Sequence, residues 1–199
     1  MYVPLRIYDK TYGIKSDYQK FFKAMGIALV GLVPNSGLDY SGLIQNSLGL
    51  FLPGGGDLDP RLYNVERSTV FDPEIDRGEQ KLYRYARKEG HKIFGICRGI
   101  QALNVFEGGT LKRVLNHEKT EHSISYRGRE RLVNSFHHEA IDKLASSLKT
   151  VAASRDGTVE IAISHDKKAL GFQFHPEKTA KDERRYWIKE VARFLYSDR

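Results

Sequence analysis

A chain of 199 residues, 40% hydrophobic and 29% charged, has the size and balance of one domain over 1–199 folded around a substantial core. No run approaches the roughly 18 apolar residues of a membrane span, Met1–Arg6 lacks a signal-peptide pattern, and a single cysteine excludes an internal disulfide framework, so a cytoplasmic location is expected. The net charge of +7, from 32 basic and 25 acidic residues, is spread along the chain without zinc-finger spacing or an RNA-binding aromatic motif, so no nucleic-acid or membrane partner is expected.

The first half reads as alternating strands and helices. Val3–Tyr8 predicts a strand and Asp17–Met25 a short helix ending before Gly26. Ile27–Val33 predicts a second strand, stopped by Pro34-Asn35-Ser36-Gly37, and Leu48–Leu52 a third, ending in Pro53-Gly54-Gly55-Gly56. Helical spacing runs from Glu74 to Lys88, followed by a strand over Lys92–Ile96 and a helix from Arg98 to about Phe106. Short apolar runs separated by helices imply a mostly parallel sheet with helices on both faces.

The second half changes character. His122–Tyr126 and Glu130–Asn134 alternate around Arg127-Gly128-Arg129, a hairpin pattern. Thr150–Ser154, Val159–Ser164 and Ala169–Phe174 predict an antiparallel meander, turning first at Asp156-Gly157. An amphipathic helix over Ala180–Tyr196 closes the chain. The fold class expected is α/β.

Cys97 lies in Gly95-Ile96-Cys97-Arg98-Gly99, between a predicted strand and a predicted helix. This repeats the layout of a nucleophile elbow with sulfur in place of oxygen. The glycines are expected to permit strained backbone angles, and the helix N-terminus to favour thiolate. A cysteine nucleophile needs a base, a group to orient the base, and oxyanion donors. His175-Pro176-Glu177 supplies base and orienting carboxylate at a predicted strand end. Backbone N–H groups of the Gly54-Gly55-Gly56 run and of Arg98 are the candidate oxyanion donors. The glycine run lacks the Gly-Lys-Ser/Thr ending of a nucleotide-binding loop. With no Cys cluster and no His/carboxylate spacing on one element, neither a metal nor a cofactor is expected.

Three segments, Leu52-Pro53-Gly54-Gly55, Gly95-Ile96-Cys97-Arg98-Gly99-Ile100-Gln101 and His175-Pro176-Glu177, resemble the signatures of class I glutamine amidotransferase domains. Val133-Asn134-Ser135-Phe136-His137-His138 and Asp156-Gly157-Thr158-Val159-Glu160, with Arg98 and Gly108-Gly109-Thr110-Leu111, resemble the γ-glutamyl hydrolase branch, which includes γ-glutamyl-γ-aminobutyrate hydrolases. The resemblance covers roughly residues 48 to 177 and implies a flavodoxin-like sandwich. It also implies Cys97 as nucleophile, His175 as acid/base, Glu177 as its orienting group, and Gly55 and Arg98 as the oxyanion hole. Gln101, Asn134, Ser135 and His137 are the residues it places on the substrate side, the first three at the glutamyl α-amino and α-carboxylate groups.

Two features depart from the branch. The stretch before Leu48 is short, and Glu139 stands where the branch often carries glutamine, at a helix start or beside the leaving group. The implied reaction is release of glutamate from a γ-glutamyl conjugate, with a small-molecule substrate. Lys112-Arg113, Arg127/Arg129/Arg131 and Arg184-Arg185 would suit an anionic conjugate, such as the γ-glutamyl-CDP-amidate of capsule phosphoramidate biosynthesis. The alternatives are γ-glutamyl-GABA or polyamine conjugates, and a glutaminase subunit that feeds ammonia to a synthetase partner.

Overall fold

A computed structural model describes residues 1–34, 41–66 and 69–197. In chain order the strands and helices of the first half are β1 (Tyr2–Pro4), β2 (Arg6–Tyr8), β3 (Thr11–Gly13), α1 (Ser16–Lys23), β4 (Val30–Leu32), α2 (Ser41–Ile44), β5 (Gly49–Leu52), α3 (Pro73–Lys88), β6 (Lys92–Ile96) and α4 (Arg98–Phe106). The second half holds β7 (Leu111–Arg113), β8 (Glu118–Tyr126), β9 (Arg129–Phe136), β10 (Glu139–Ile141), β11 (Leu148–Ala153), β12 (Val159–Ser164), β13 (Ala169–Phe172) and α5 (Lys181–Tyr196). The expected stop at 34–37 falls, beyond Pro34, outside the described residues.

Seven strands form the central sheet in the order β11-β12-β13-β6-β5-β1-β4. The strands from β13 through β4 are parallel, and β12 and β11 add antiparallel at the other edge. Its middle strands are buried on both faces, so they read as continuous apolar runs. Side chains alternate across the sheet. Phe51, Phe94 and Phe172 face a core shared with Phe22 of α1 and Trp187 of α5. Leu50, Leu52 and Ile93 face the opposite core, with Leu82 of α3 and Ile100 and Leu103 of α4. No helix among the described residues is long and apolar enough to cross a membrane.

The predicted strand Val3–Tyr8 is broken. Its first half is β1, inside the sheet, while β2 leaves it at Leu5 and turns back as β3 through Asp9 and Lys10, both at positive φ. Two central residues at positive φ make the tight turn that suits a twisted hairpin. The β8–β9 hairpin forms around Arg127 and Gly128 and is longer than its alternating pattern indicated. The pairing of β7 with β10 was not foreseen, and it places Glu139 in a strand instead of at a helix start.

Candidate active site

Strand β6 delivers Cys97 to the beginning of α4. The chain reverses at the cysteine itself, with φ 55° and ψ −110°, in the left-handed region that a β-carbon disfavours. The flanking glycines do not take the strained angles, contrary to expectation. They make room instead: a β-carbon on Gly95 would lie 2.6 Å from the Gly99 carbonyl, and one on Gly99 would overlap the Leu52 carbonyl. Close seating of α4 on β5 and β6 therefore holds the strained turn in place. Cys97 N–H is fixed to the Phe172 carbonyl at 2.7 Å, and the Cys97 carbonyl accepts from Ile100 N–H at 3.1 Å. The sulfur sits at the N-terminus of α4, where unpaired N–H groups and the helix dipole stabilise negative charge.

His175 follows β13 at the parallel neighbour of β6, so adjacent strand ends present thiol and imidazole together. His175 Nδ1 is 2.6 Å from Glu177 Oε1, and all three groups are buried, with 7%, 6% and 4% of Cys97, His175 and Glu177 exposed. Burial disfavours the charged ring, but the charge and hydrogen bond of Cys97 and then those of Glu177 outweigh it, raising the His175 pKa to about 9. A proton on His175 is thus stabilised from both sides. Asn134 clamps the same residue by its backbone. Its Oδ1 accepts from His175 N–H at 2.9 Å, and its Nδ2 donates to the His175 carbonyl at 2.9 Å.

The glycine run after β5 passes beside this pair. A β-carbon on Gly54 would stand 3.2 Å from His175 Cε1 and 3.6 Å from Cys97 Cβ. Gly54 N–H is donated to Tyr18 Oη at 3.1 Å, and Gly55 and Arg98, whose N–H groups are the expected oxyanion donors, line the same cleft as Cys97. Arg6, on β2, holds the loop from behind, donating to the Pro53 carbonyl at 2.8 Å and the Gly54 carbonyl at 3.2 Å. Its guanidinium also lies 2.5 Å from Glu79 of α3. Arg98 turns its side chain away from the sulfur to pair with Glu79 and Asp76, and Asp76 Oδ2 accepts from Asp59 N–H at 2.7 Å. Burial disfavours the Glu79 anion, yet Arg6 and Arg98 hold its carboxyl below the usual carboxylate range. One buried network of alternating charge thus ties both sides of the elbow to α3.

Cys97, Arg98, Gly55 and His175 open onto a cleft of about 630 Å³. Tyr8 of the β2–β3 hairpin, Phe136 and Lys178 belong to its wall. Gln101, Asn134, Ser135 and His137 do not. Gln101 Nε2 donates to the Glu139 carbonyl at 2.7 Å, Ser135 Oγ to the His117 carbonyl at 2.7 Å, and His137 Nδ1 faces the Glu139 carbonyl at 3.0 Å. Each is buried and engaged with the protein. The basic groups singled out in the sequence are also off the wall. Arg127 and Arg131 pair with Glu190 and Glu183, and Arg185 with Asp182.

Arg6, Tyr18, Asp76 and Glu79 were missed. The available signals were a lone arginine inside an apolar strand and two acids three residues apart on the core-facing side of α3.

The arrangement can generate a thiolate, protonate a departing amine and stabilise an oxyanion. The peptidase C26 family model matches residues 6–131, and that of class I glutamine amidotransferase matches residues 70–193. The glutamine amidotransferase-like protein YvdE of Lactococcus lactis is 33% identical over 159 residues, which are 67% of each chain. A γ-glutamyl-γ-aminobutyrate hydrolase of Escherichia coli is 30% identical over 161 residues, 65% of this chain and 63% of that one. The chain thus spans about two thirds of the length of these relatives. A glutamine amidotransferase structure from Thermotoga maritima superposes with a TM-score of 0.67 at 18% identity, covering 99% of this chain and 84% of the other. The flavodoxin-like fold is shared, and the chain belongs to the peptidase C26 and class I glutamine amidotransferase family.

Proposed function

We propose that this protein is a free-standing hydrolase of a γ-glutamyl amide, working through Cys97, His175 and Glu177. The observation that carries the proposal is the buried imidazole held 2.6 Å from Glu177 and against the Cys97 sulfur on a strained elbow. The Cys97 thiolate adds to the γ-carbonyl carbon, and the oxyanion meets the N–H groups of Gly55 and Arg98. His175 gives its proton to the amine as the C–N bond breaks, leaving a γ-glutamyl thioester. Water then attacks that thioester, with His175 taking its proton, and releases glutamate and the free thiol.

We propose an anionic leaving group. Support comes from Lys15 and Lys178, exposed on the cleft wall, in place of the basic pairs that the sequence suggested. Asp57 and Asp72 lie on the same wall, so both signs are available to a zwitterionic glutamyl head. γ-Glutamyl-CDP-amidate is the conjugate of this class that the family resemblance offers. The match to class I glutamine amidotransferases supports a second reading, glutamine hydrolysis for a synthetase partner.

Glutamate release by the purified protein alone, from glutamine, γ-glutamyl-GABA, γ-glutamyl-putrescine and a γ-glutamyl nucleotide amidate, separates these readings. Fastest Cys97-dependent turnover of the nucleotide amidate is expected. Faster turnover of the putrescine conjugate would overturn the anionic leaving group. Glutamine turnover that needs an added synthetase would overturn the free-standing hydrolase.

A further inference from the structure

Behind the cleft, three imidazoles surround one carboxylate. Glu160 of β12 is fully buried. His122 Nε2 lies 2.9 Å from its Oε1, while His137 Nε2 and His117 Nδ1 stand 3.9 Å and 4.0 Å from the same oxygen. Glu160 Oε2 and His137 Nε2, both buried, have no hydrogen-bond partner among the described residues. The ligand atoms of His117, His137 and Glu160 all lie within 4.8 Å of one another.

The outward nitrogens explain which way the inward ones face. His137 Nδ1 meets the Glu139 carbonyl at 3.0 Å, which can only accept, so the ring carries its proton there. Its Nε2 therefore turns a bare lone pair toward a carboxylate. His117 Nε2 is 2.8 Å from Asp156 Oδ2, and Asp156 is itself held by Ser154 Oγ at 2.6 Å and Thr158 N–H at 3.0 Å. The same ring's Nδ1 lies 3.1 Å from Ser135 Oγ, which gives its own hydrogen to the His117 carbonyl and so accepts from the ring, and a metal ion would take the place of that Nδ1 proton. The inward lone pair of His137 facing a buried anion is repulsive unless a cation sits between them. A ligating histidine whose other nitrogen is fixed by a carboxylate or carbonyl is the usual outer shell of a metal site.

We propose that His117 Nδ1, His137 Nε2 and Glu160 bind one divalent transition-metal ion, Zn²⁺ fitting the two-imidazole, one-carboxylate set best. Ligand atoms of a tetrahedral Zn²⁺ site are roughly 3.3 Å apart at bond lengths of about 2.0–2.1 Å, so inward shifts below about 1 Å close the set. The fourth position falls to His122 or water. The ion would fasten β12 to the segments at either end of the β8–β9 hairpin. It would also steady Asn134, which clamps His175, but it lies off the cleft wall and takes no part in the reaction.

The test uses the full chain carrying Cys97→Ser, so that the thiol contributes no ligand, stripped with chelator and titrated with Zn²⁺ or Co²⁺ alone. One equivalent is expected to bind, with Tm rising by about 5–10 °C at a hundredfold excess over Kd. His137→Gln and Glu160→Gln should each weaken binding by at least the ~10–100-fold seen for outer-shell losses. Binding far below one equivalent, or unchanged in both variants, overturns the proposal. Should either variant fail to fold, ring ¹⁵N NMR of the Cys97→Ser protein decides. Zn²⁺ must shift the inward nitrogens of His117 and His137 and leave His91 and His165 unchanged. If those nitrogens instead respond only to pH, a proton occupies the cluster and the metal site is refuted.

Discussion

Replacing Glu177 by glutamine keeps the shape of the His175 partner and removes its charge. The His175 ring is held at about 9 against an ordinary 6.5, although burial alone would push it lower. That displacement corresponds to ~3 kcal/mol of preference for the protonated ring. Cys97 and Glu177 share it, so losing the carboxylate should remove about 1–2 kcal/mol and bring the alkaline limb of kcat/KM from near 9 to about 8. The accompanying fall in kcat/KM should be on the order of ten- to a hundredfold, because removing the orienting group costs less than removing nucleophile or base.

Stability follows with a definite sign. A ring whose folded pKa is raised contributes stability fully present below 6.5 and lost as pH rises through about 9. Glu177→Gln should therefore lie ~1–2 kcal/mol below wild type near pH 6 and converge with it near pH 10. The assay is a pH profile of glutamate release beside denaturant melts at the two extremes. An alkaline limb that stays near 9 in Glu177→Gln would refute the assignment of Glu177 as the group that holds the proton.

Cys97→Ala and His175→Ala should each abolish turnover, and circular dichroism of Cys97→Ala should match wild type. Gly99→Ala should lose more than about 2 kcal/mol and most activity, because its β-carbon would overlap the Leu52 carbonyl and lift α4 from the sheet; a stable, active variant would contradict the seating argument. Arg6→Met should cost about 3–5 kcal/mol by removing one cation from the buried Glu79 network, read by urea melts. Lys178→Glu should raise KM for a phosphate-bearing conjugate several-fold with kcat little changed, and an unaltered KM would separate Lys178 from the leaving group.

The parts legible in the sequence were those where periodicity and chain punctuation agree. Leu48–Leu52 and Lys92–Ile96 are short apolar runs closed by glycine or cysteine turns, and α3 carries its apolar face at helical spacing behind an Asp72 cap. That Cys97, His175 and Glu177 lie close together was legible because strand-end motifs announce them. Pairing of short segments was not: β7 and β10 have three residues each and no alternation to set a register. Arg6 reads only as one residue of a predicted strand, and the fold alone reveals Glu79 opposite it. Family resemblance places Asn134, Ser135 and His137 on the substrate side, and their protein partners, among them the His117 and Glu139 carbonyls, are not readable from spacing along one strand. The imidazoles around Glu160 escaped for a related reason, since His117, His137 and Glu160 come from three separate segments.

The most direct test of the central claim is intact-protein mass spectrometry of an acid-quenched single turnover with the best γ-glutamyl conjugate. The account predicts a transient adduct of one glutamyl group, mapped to Cys97 and absent from Cys97→Ala. Turnover at full rate with no adduct, or with one that persists in Cys97→Ala, would contradict it.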